Sequence, residues 1–193
     1  MKLVRDLVIP VIVALVIFGI LQFSVGSFKV YGQSMLPTIK HGEYIMVIKT
    51  SYYFHSPQRG EVIVFHSPHD SNSDLIKRII AIPGDTVEVK GGKVYINNHP
   101  LDEDYIRERP YYKLSLQTIP ADHYFVLGDN RNNSADSHAG WTAPRENIIG
   151  KAQFTYWPPQ KWRLLEHYTA DIEQQLAGLG AVSLAKQMPC PTK

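Results

Sequence analysis

The longest run of apolar residues lies near the N-terminus. Residues 7–23 read LVIPVIVALVIFGILQF, in which Gln22 is the only polar side chain. A helix of this length spans most of the apolar thickness of a bilayer. Pro10 falls in its first turn, where the missing N–H costs little. We therefore predict a transmembrane anchor over residues 7–26, preceded by a short tail of residues 1–6.

A cleaved signal peptide is the alternative interpretation of this segment. Its apolar run is longer than the usual hydrophobic region of such peptides, and no clear A-x-A motif follows it, so a retained anchor is favoured. The positive-inside rule does not decide the orientation, because Lys2 and Arg5 before the segment are matched by Lys29 and Lys40 after it. The short tail and the long following domain favour an N-terminus inside and a domain outside.

A second pattern, of short apolar runs, extends over residues 27–157 and is typical of strands. Apolar and polar residues alternate on either side of Gly91 and Gly92, which can adopt the positive φ angles of a two-residue hairpin turn. Clusters of Gly, Pro, Asn and Asp separate the runs. We predict a mainly β, antiparallel domain with long loops. The predicted strands are residues 44–48, 61–65, 75–82, 86–90, 93–96, 123–127 and 148–156.

A third pattern begins after Trp157, where apolar residues recur at steps of three and four, as on one face of a helix. We predict a C-terminal helix within the tail of residues 158–193. Packing against the domain is favoured over contact with a membrane surface. The residues that define this face are Trp162, Leu165, Tyr168, Ile172, Leu176 and Leu179.

Composition narrows the class of protein. The 193 residues are 44% hydrophobic and 20% charged with a net charge of +2, which excludes a disordered chain and a chain dedicated to nucleic acid. One globular domain on an anchor accounts for the length. Cys190 is the only cysteine, so an intrachain disulfide and a cysteine metal cluster are excluded. The oligomeric state is left open.

Two segments in the β-rich region carry candidate catalytic chemistry. Residues 32–39, GQSMLPTI, place Ser34 in a tight polar stretch, and residues 75–85, LIKRIIAIPGD, place Lys77 beside Arg78. Neighbours in a strand point to opposite faces, so one of the two cations faces the surface that the strand covers. A lysine held against apolar surface has a lowered pKa and can act as a neutral base toward a serine hydroxyl. An exposed lysine on an edge strand is the alternative.

Two further segments are a turn with a core strand, residues 59–65 (RGEVIVF), and a dense polar loop, residues 128–138 (GDNRNNSADSH). The Asp, Asn and Ser side chains of the loop can bond their own backbone and fix its shape, and Arg131 can pair with a carboxylate. A calcium loop is a weaker interpretation, because Asp129 and Asp136 are its only acidic residues and the EF-hand spacing is absent.

In this order the four segments resemble those of the type I signal peptidases, membrane-bound Ser-Lys endopeptidases that remove signal peptides from exported proteins. The resemblance covers residues 7–157. It implies Ser34 as nucleophile, Lys77 as general base and Ser134 as a hydroxyl that bonds and orients Lys77. It also implies a β-rich fold with no metal or cofactor, and cleavage after small residues at A-x-A sites. The residues that would brace the site are Arg78, Asp129, Arg131 and Asp136.

Three positions depart from the family pattern. Gly32 stands where some relatives have a serine that serves the oxyanion hole, so the hole would rest on the Ser34 backbone N–H and a nearby main-chain donor. His138 stands where many relatives have arginine, and it can form an ion pair with Asp136 only when protonated. Ala81 stands where relatives often have glycine, a change between small residues that we expect to be harmless.

The resemblance and the anchor together imply a single-pass protein of the plasma membrane, with the N-terminus cytoplasmic and the catalytic domain extracytoplasmic. Ser34 follows the apolar segment by about ten residues, which keeps it within roughly 35 Å of the bilayer surface. Met35 and Leu36 would suit an approach surface for a substrate in the same membrane, and ordinary core packing is an equal alternative. The expected partners are the lipid bilayer and preproteins with signal peptides, without nucleic acid.

Other functions are less favoured. A self-cleaving repressor or mutagenesis protein also uses a Ser-Lys pair, but the apolar residues 7–23 argue against its soluble or DNA-binding N-terminus. A non-catalytic anchored domain that binds exported chains would tolerate replacement of Ser34 or Lys77. A zinc enzyme or a Ser-His-Asp hydrolase is disfavoured because the sequence has no His-Glu-x-x-His or Gly-x-Ser-x-Gly motif.

Overall fold

The N-terminal apolar segment forms a long helix. The computed structural model describes residues 2–70 and 72–177. Helix α1 spans Lys2–Ser24, and within the described residues it is the one helix long and apolar enough to cross a membrane. The large apolar side chains between Leu7 and Phe18 are all exposed, so no part of the described domain covers them. The predicted apolar helix is confirmed, and strand β1 follows it without a linker.

Twelve strands follow α1 within the described part of the chain, and every pairing between them is antiparallel. The mainly β, antiparallel fold class is therefore confirmed. The strands are β1 Val25–Lys29, β2 Tyr44–Ile48, β3 Val62–His66, β4 Asp74–Ala81, β5 Thr86–Lys90, β6 Lys93–Ile96, β7 His99–Pro100, β8 Leu114–Thr118, β9 His123–Leu127, β10 Ala143–Pro144, β11 Ile148–Trp157 and β12 Arg163–Leu164.

The strands form two sheets. The larger sheet has the order β1-β2-β11-β3-β4-β9-β10, with β12 paired to β11, and the smaller has the order β7-β6-β5-β8. Strands β3 and β4 lie inside the larger sheet, and most of their residues are buried on both faces. Burial on both faces removes the polar alternation, which explains their continuous apolar sequences. The interior position of β4 also explains how a lysine and an arginine in it become buried.

The predicted hairpin is confirmed. Strands β5 and β6 pair with Lys90 opposite Lys93, and the two residues of the turn are Gly91 at φ 58° and Gly92 at φ 74°. Two consecutive positive φ angles match the twist of the flanking strands, and glycine adopts them without steric cost.

Most of the strand predictions are confirmed within a residue or two, but five strands were not predicted. Strand β1 follows the apolar helix directly, and β8 has an irregular burial pattern with two adjacent exposed residues. Strands β7, β10 and β12 contain two residues each. Segments this short have no period of their own, and it is the pairing with a neighbour that makes them strands.

The C-terminal helix begins later than its pattern indicated. Residues 169–177 are helical and form α2, whereas Trp162, Leu165 and Tyr168 precede the helix. The prediction that these three residues share a helical face is wrong. Trp162 directly precedes β12, which pairs with β11, and Leu165 is buried in the core of the larger sheet. Tyr168 packs against the core cluster that contains Ile172. Ile172 and Leu176 do lie on α2 and pack on the smaller sheet, and Leu179 lies outside the described residues.

Candidate active site

The structure brings together two predicted residues that are far apart in the chain. Ser34 lies in the loop between β1 and β2, and Lys77 lies in β4. Lys77 Nζ is 2.9 Å from Ser34 Oγ and donates to Ile76 O at 2.9 Å. An amine within hydrogen-bond distance of a hydroxyl is the geometry that a serine nucleophile with a lysine base requires.

Lys77 is placed where its charged form is disfavoured. Its side chain belongs to a residue only 3% exposed. Burial lowers the pKa of the Lys77 amine from 10.5 to about 8, although the negative charges of Asp136 and Asp129 oppose the shift. A neutral amine is therefore populated near neutral pH, as a general base requires.

A small cavity opens beside the two residues. Its volume is about 110 Å³, and Ser34 and Lys77 both line it. Much of the remaining wall is apolar, with contributions from Phe28, Ile45 and Ile76. The cavity is therefore suited to a small apolar group held next to the hydroxyl and the amine.

Arg78 points away from Ser34, to the opposite face of β4. Its guanidinium donates to both carboxylate oxygens of Asp129, at 2.9 and 2.8 Å, and both side chains are fully buried. The aromatic rings of Tyr105 and Tyr168 lie 4.5 and 5.0 Å from the guanidinium carbon. A buried, bidentate pair of this kind holds its two elements in a defined relative position.

The loop after β9 holds the Ser34 loop in place. Asn130 donates its backbone N–H to Ser34 O at 2.9 Å and its side-chain amide to Gln33 O at 3.0 Å. Asp129, already bound to Arg78, accepts the Thr38 hydroxyl at 2.5 Å. Asn130 and Thr38 were not among the predicted residues, although both lie inside the motifs that contain Asp129 and Ser34.

Gly128 allows these two loops to approach closely. A Cβ atom at this position would collide with Ser134 Oγ and with the backbone oxygen of Ser34. Only a residue without a side chain permits this contact. The close packing of the polar loop against the backbone of Ser34 therefore requires a glycine at position 128.

Arg131 and Asp136 fix the rest of the polar loop. Arg131 makes a buried, bidentate pair with Glu103 at 2.8 and 2.6 Å. The carboxylate partner expected for Arg131 is thereby identified, and no local sequence signal pointed to Glu103. Asp136 accepts the backbone N–H of Gly128 at 2.9 Å and the His138 ring nitrogen Nδ1 at 2.6 Å.

The histidine at position 138 does pair with Asp136. The hydrogen bond to Asp136 raises the pKa of the His138 imidazole, against a smaller opposing effect of burial. The ring also stacks on Tyr112 with centroids 4.2 Å apart. The protonated form of His138 is therefore stabilised next to a carboxylate that acts electrostatically on Lys77.

Ser134 and Met35 do not make, in this structure, the contacts that a role at the site would give them. Ser134 Oγ is buried without a hydrogen-bond partner, so the expected bond to Lys77 is not formed in this structure. Met35 is 1% exposed and packs in the core with Ile39, which is the core alternative and not an approach surface, while Leu36 is half-buried. In both cases the local sequence identified the segment, and the packing of the loop decided where the side chain points.

Gly32 lies in an exposed position at the start of the Ser34 loop. Its φ angle is 93°, its N–H donates to the His41 ring nitrogen at 3.1 Å, and a Cβ there would have open space around it. The site therefore has no side-chain donor at this position, but it has room for one. In residues 2–70 and 72–177, no group of three or more His, Cys, Asp or Glu side chains is arranged to hold a metal ion.

Comparison with known proteins places this chain in a family. A family model described as signal peptidase, peptidase S26, matches residues 3–157. Probable signal peptidase I-1 of Synechocystis sp. strain PCC 6803 is 43% identical over 176 residues, covering 87% of this chain and 90% of the relative. Signal peptidase I of Leptolyngbya laminosa is 42% identical over 165 residues, covering 82% of this chain and 80% of the relative.

A crystal structure of a signal peptidase I from Enterococcus faecalis V583 is 34% identical and covers 50% of this chain and 96% of that chain, with a TM-score of 0.45. The assignment itself rests on the sequence matches, which extend over most of both chains. This chain is a peptidase and belongs to the signal peptidase I family, peptidase S26.

Proposed function

We propose that this chain is a membrane-bound serine endopeptidase that removes N-terminal signal peptides from exported preproteins, with Ser34 as nucleophile and Lys77 as general base. The observation that carries the proposal is the 2.9 Å distance between Lys77 Nζ and Ser34 Oγ, at a buried amine whose pKa is lowered to about 8. Neither metal nor cofactor is needed for this chemistry.

In the proposed reaction, neutral Lys77 accepts the proton of the Ser34 hydroxyl as Oγ attacks the scissile carbonyl carbon. The resulting ammonium then donates a proton to the leaving amine, and the C–N bond breaks to leave an ester on Ser34. Water, deprotonated by the regenerated amine, attacks the ester, and Oγ leaves with the proton from Lys77. The Ile76 carbonyl, at 2.9 Å from Nζ, orients the amine throughout.

Ser134 is assigned to the charged stage of this cycle. An ammonium has three donors, and Ser34 Oγ and Ile76 O account for two acceptors. The Ser134 hydroxyl is buried and has no partner, and it lies against Gly128, as the carbonyl oxygen of Ser34 does. We assign it as the third acceptor when Lys77 becomes protonated.

The oxyanion of the tetrahedral intermediate is assigned to main-chain donors, with the Ser34 N–H as the principal one. Gly32 has no side-chain hydroxyl to add. Buried polar residues around the Ser34 loop and the loop after β9 are assigned a structural role. They keep the main-chain donors in place before the reaction. These residues are Arg78, Asp129, Arg131 and Asp136.

The proposed specificity for small residues before the cleaved bond, as in A-x-A sites, is supported by the cavity beside Ser34. Its volume of about 110 Å³ and its apolar wall favour a small apolar side chain. A bulky side chain would not fit a cavity of this size without displacing its wall, which is costly.

The proposed place of action is the plasma membrane, with the N-terminus cytoplasmic and the catalytic domain outside. Support comes from the exposed apolar surface of α1 and from the direct passage into β1, which keeps the sheet close to the bilayer. Beyond α1, Trp157, Trp162 and Leu164 are more than half exposed on or beside β11 and β12. Exposed tryptophans are typical of protein surfaces at the membrane interface.

The test is cleavage of a preprotein with an A-x-A site by the detergent-solubilised full chain, with the new N-terminus identified by mass spectrometry. We expect cleavage after the small residue by the wild type, and a loss of at least about 1000-fold in Ser34→Ala and Lys77→Ala. Matched controls are Ser115→Ala and Lys93→Ala, which change exposed residues of β8 and β6 and should cleave normally. Normal cleavage by Lys77→Ala would rule out the dyad. A folded wild type that cleaves nothing would favour a non-catalytic anchored domain.

A further inference from the structure

The residues that follow β11 return to the site from outside the region that the family model matches. That match ends at residue 157, whereas the described chain continues to residue 177. Residues 163–168, here called the return segment, contact the Ser34 loop, the Arg78–Asp129 pair and the turn before β3. None of these contacts involves the side chains of Ser34 or Lys77 directly.

Arg163 links the middle of the Ser34 loop to Glu43, the last residue before β2. It donates to Thr38 O at 2.5 Å and to the Glu43 carboxylate at 2.8 Å. Glu43 is 1% exposed and also accepts the backbone N–H of Lys40 at 3.1 Å. A planar guanidinium can bond a carbonyl and a carboxylate at the same time, which a single point charge does less well.

Two other residues of the return segment hold Arg78. The backbone oxygen of Glu166 accepts the Arg78 guanidinium at 3.0 Å. The Tyr168 ring lies 5.0 Å from that guanidinium and stacks on Tyr105 with centroids 4.5 Å apart. Since Asp129 binds both Arg78 and Thr38, the return segment contacts both ends of the same chain of hydrogen bonds.

The position of the return segment is itself fixed by packing. Leu165 is 4% exposed and belongs to the same core cluster as Met35 and Ile39 of the Ser34 loop. The backbone N–H of Tyr168 donates to Gly60 O at 3.3 Å, and a Cβ on Gly60 would lie 2.5 Å from the Tyr168 carbonyl carbon. The contacts of Arg163 and Glu166 are therefore made from a rigid support.

We infer that the return segment positions the Ser34 loop relative to Lys77, and that Arg163 is its principal positioning residue. The inference rests on the proposed function, in which the distance between Ser34 Oγ and Lys77 Nζ controls the rate. Lys77 is carried by an interior strand, whereas Ser34 is carried by a loop held by Asn130 on one side and Arg163 on the other. A displacement of about 1 Å at a reacting group can cost roughly 100-fold in rate.

The test compares Arg163→Gln with Arg163→Lys and with the matched control Arg107→Gln, which changes an exposed arginine. We expect Arg163→Gln to lower kcat by about 10-fold to 100-fold with KM within about twofold of the wild type. Arg163→Lys should recover part of the loss, because an ammonium keeps the charge but not the planar fork. Arg107→Gln should have wild-type kinetics.

Rates are expressed per folded molecule, from circular dichroism at the assay temperature. A wild-type kcat in folded Arg163→Gln overturns the inference, as does a loss that disappears once the folded fraction is counted. If Arg163→Gln does not fold, Arg163→Lys decides, and a wild-type kcat there overturns the inference. Ser34→Ala and Lys77→Ala in the same assay separate failure of the proposed function from failure of this inference. If these two variants keep activity, the proposed function fails. If they lose activity while Arg163→Gln is normal, only this inference fails.

Discussion

The two faces of strand β4 shift the pKa values of two neighbouring cations in opposite directions. Lys77 and Arg78 are adjacent, cationic and almost completely buried, at 3% and 0% exposure. The Lys77 amine bonds the uncharged oxygens of Ser34 and Ile76, and burial lowers its pKa to about 8. Burial acts in the same direction on Arg78, but the bound Asp129 carboxylate outweighs it and the pKa of the guanidinium is raised.

Burial of a cation therefore does not by itself define its role. A buried amine without a bound carboxylate becomes a base, whereas a buried guanidinium with a bidentate carboxylate becomes a permanent structural ion pair. Exchange of the two side chains would remove both functions, because arginine does not lose its proton in proteins. Four experiments test this contrast.

The largest effect on activity is expected on the Lys77 face. Lys77→Met should reduce cleavage by about 10,000-fold or more and, at pH 6, raise the melting temperature. The folded-state pKa of about 8 lies below the usual 10.5, so the buried ammonium is fully penalised below pH 8 and the penalty fades as pH rises through both values. The gain in melting temperature should thus be larger at pH 6 than at pH 10.

Thermal unfolding of the solubilised protein at the two pH values measures this effect. Lys93→Met, at an exposed position of β6, is the control and should change neither activity nor the pH dependence of stability. A melting temperature for Lys77→Met that falls at pH 6 would contradict the assignment of Lys77 as a strained, buried amine.

The largest effect on stability is expected on the Arg78 face. Arg78→Met leaves the Asp129 carboxylate buried without its partner and should lower the free energy of unfolding by about 3–5 kcal/mol. The double variant Arg78→Met/Asp129→Asn should recover part of this loss, since the buried charge is then removed. Urea denaturation followed by circular dichroism measures both variants, with Arg107→Met as a control expected to change stability by less than about 0.5 kcal/mol. Equal stability of Arg78→Met and wild type would show that the ion pair is not structural.

A smaller effect, on rate alone, is expected at Gly32, where the proposed oxyanion hole has no side-chain hydroxyl. Gly32→Ser and Gly32→Ala both place a side chain at a φ of 93° and incur similar backbone strain, but only serine adds a hydroxyl donor. Since the surrounding space is open, we expect kcat of the serine variant to exceed that of the alanine variant by at least about 10-fold. Steady-state kinetics of the two variants provides the comparison, and equal kcat values would mean that main-chain donors suffice.

The smallest effect is a shift of the pH profile. The wild-type rate should rise with pH through a midpoint near 8, because the proposed general base is the neutral Lys77 amine. The negative charge of Asp136 raises the pKa of Lys77, and protonated His138 offsets that charge. His138→Arg keeps a positive charge at every pH and His138→Gln never carries one, so the midpoint should be lower in His138→Arg than in His138→Gln, by less than about one unit. Tyr112, stacked on His138, remains in both variants, and identical midpoints would exclude coupling between His138 and Lys77.

Local sequence patterns determined the parts of this protein that depend on neighbours in the chain. The apolar residues 7–23 predicted α1, and Gly91-Gly92 predicted the β5–β6 hairpin, because both signals arise within one element. Strand alternation alone predicted that Lys77 and Arg78 point to opposite faces. The order of the four sequence motifs led to the family.

Tertiary structure alone decided the electrostatic roles and the partners. Arg131 pairs with Glu103, the return segment reaches Arg78, and Ser134 is left without a partner, and no local pattern encodes these contacts between distant residues. The periodicity from Trp162 onward predicted one helical face, yet pairing with β11 and burial of Leu165 outweighed it. The pKa of Lys77 depends on burial by elements from several parts of the chain. The sequence therefore determined which residues are candidates for the site. Only the folded chain determined the charge that each of them carries and the residues that it contacts.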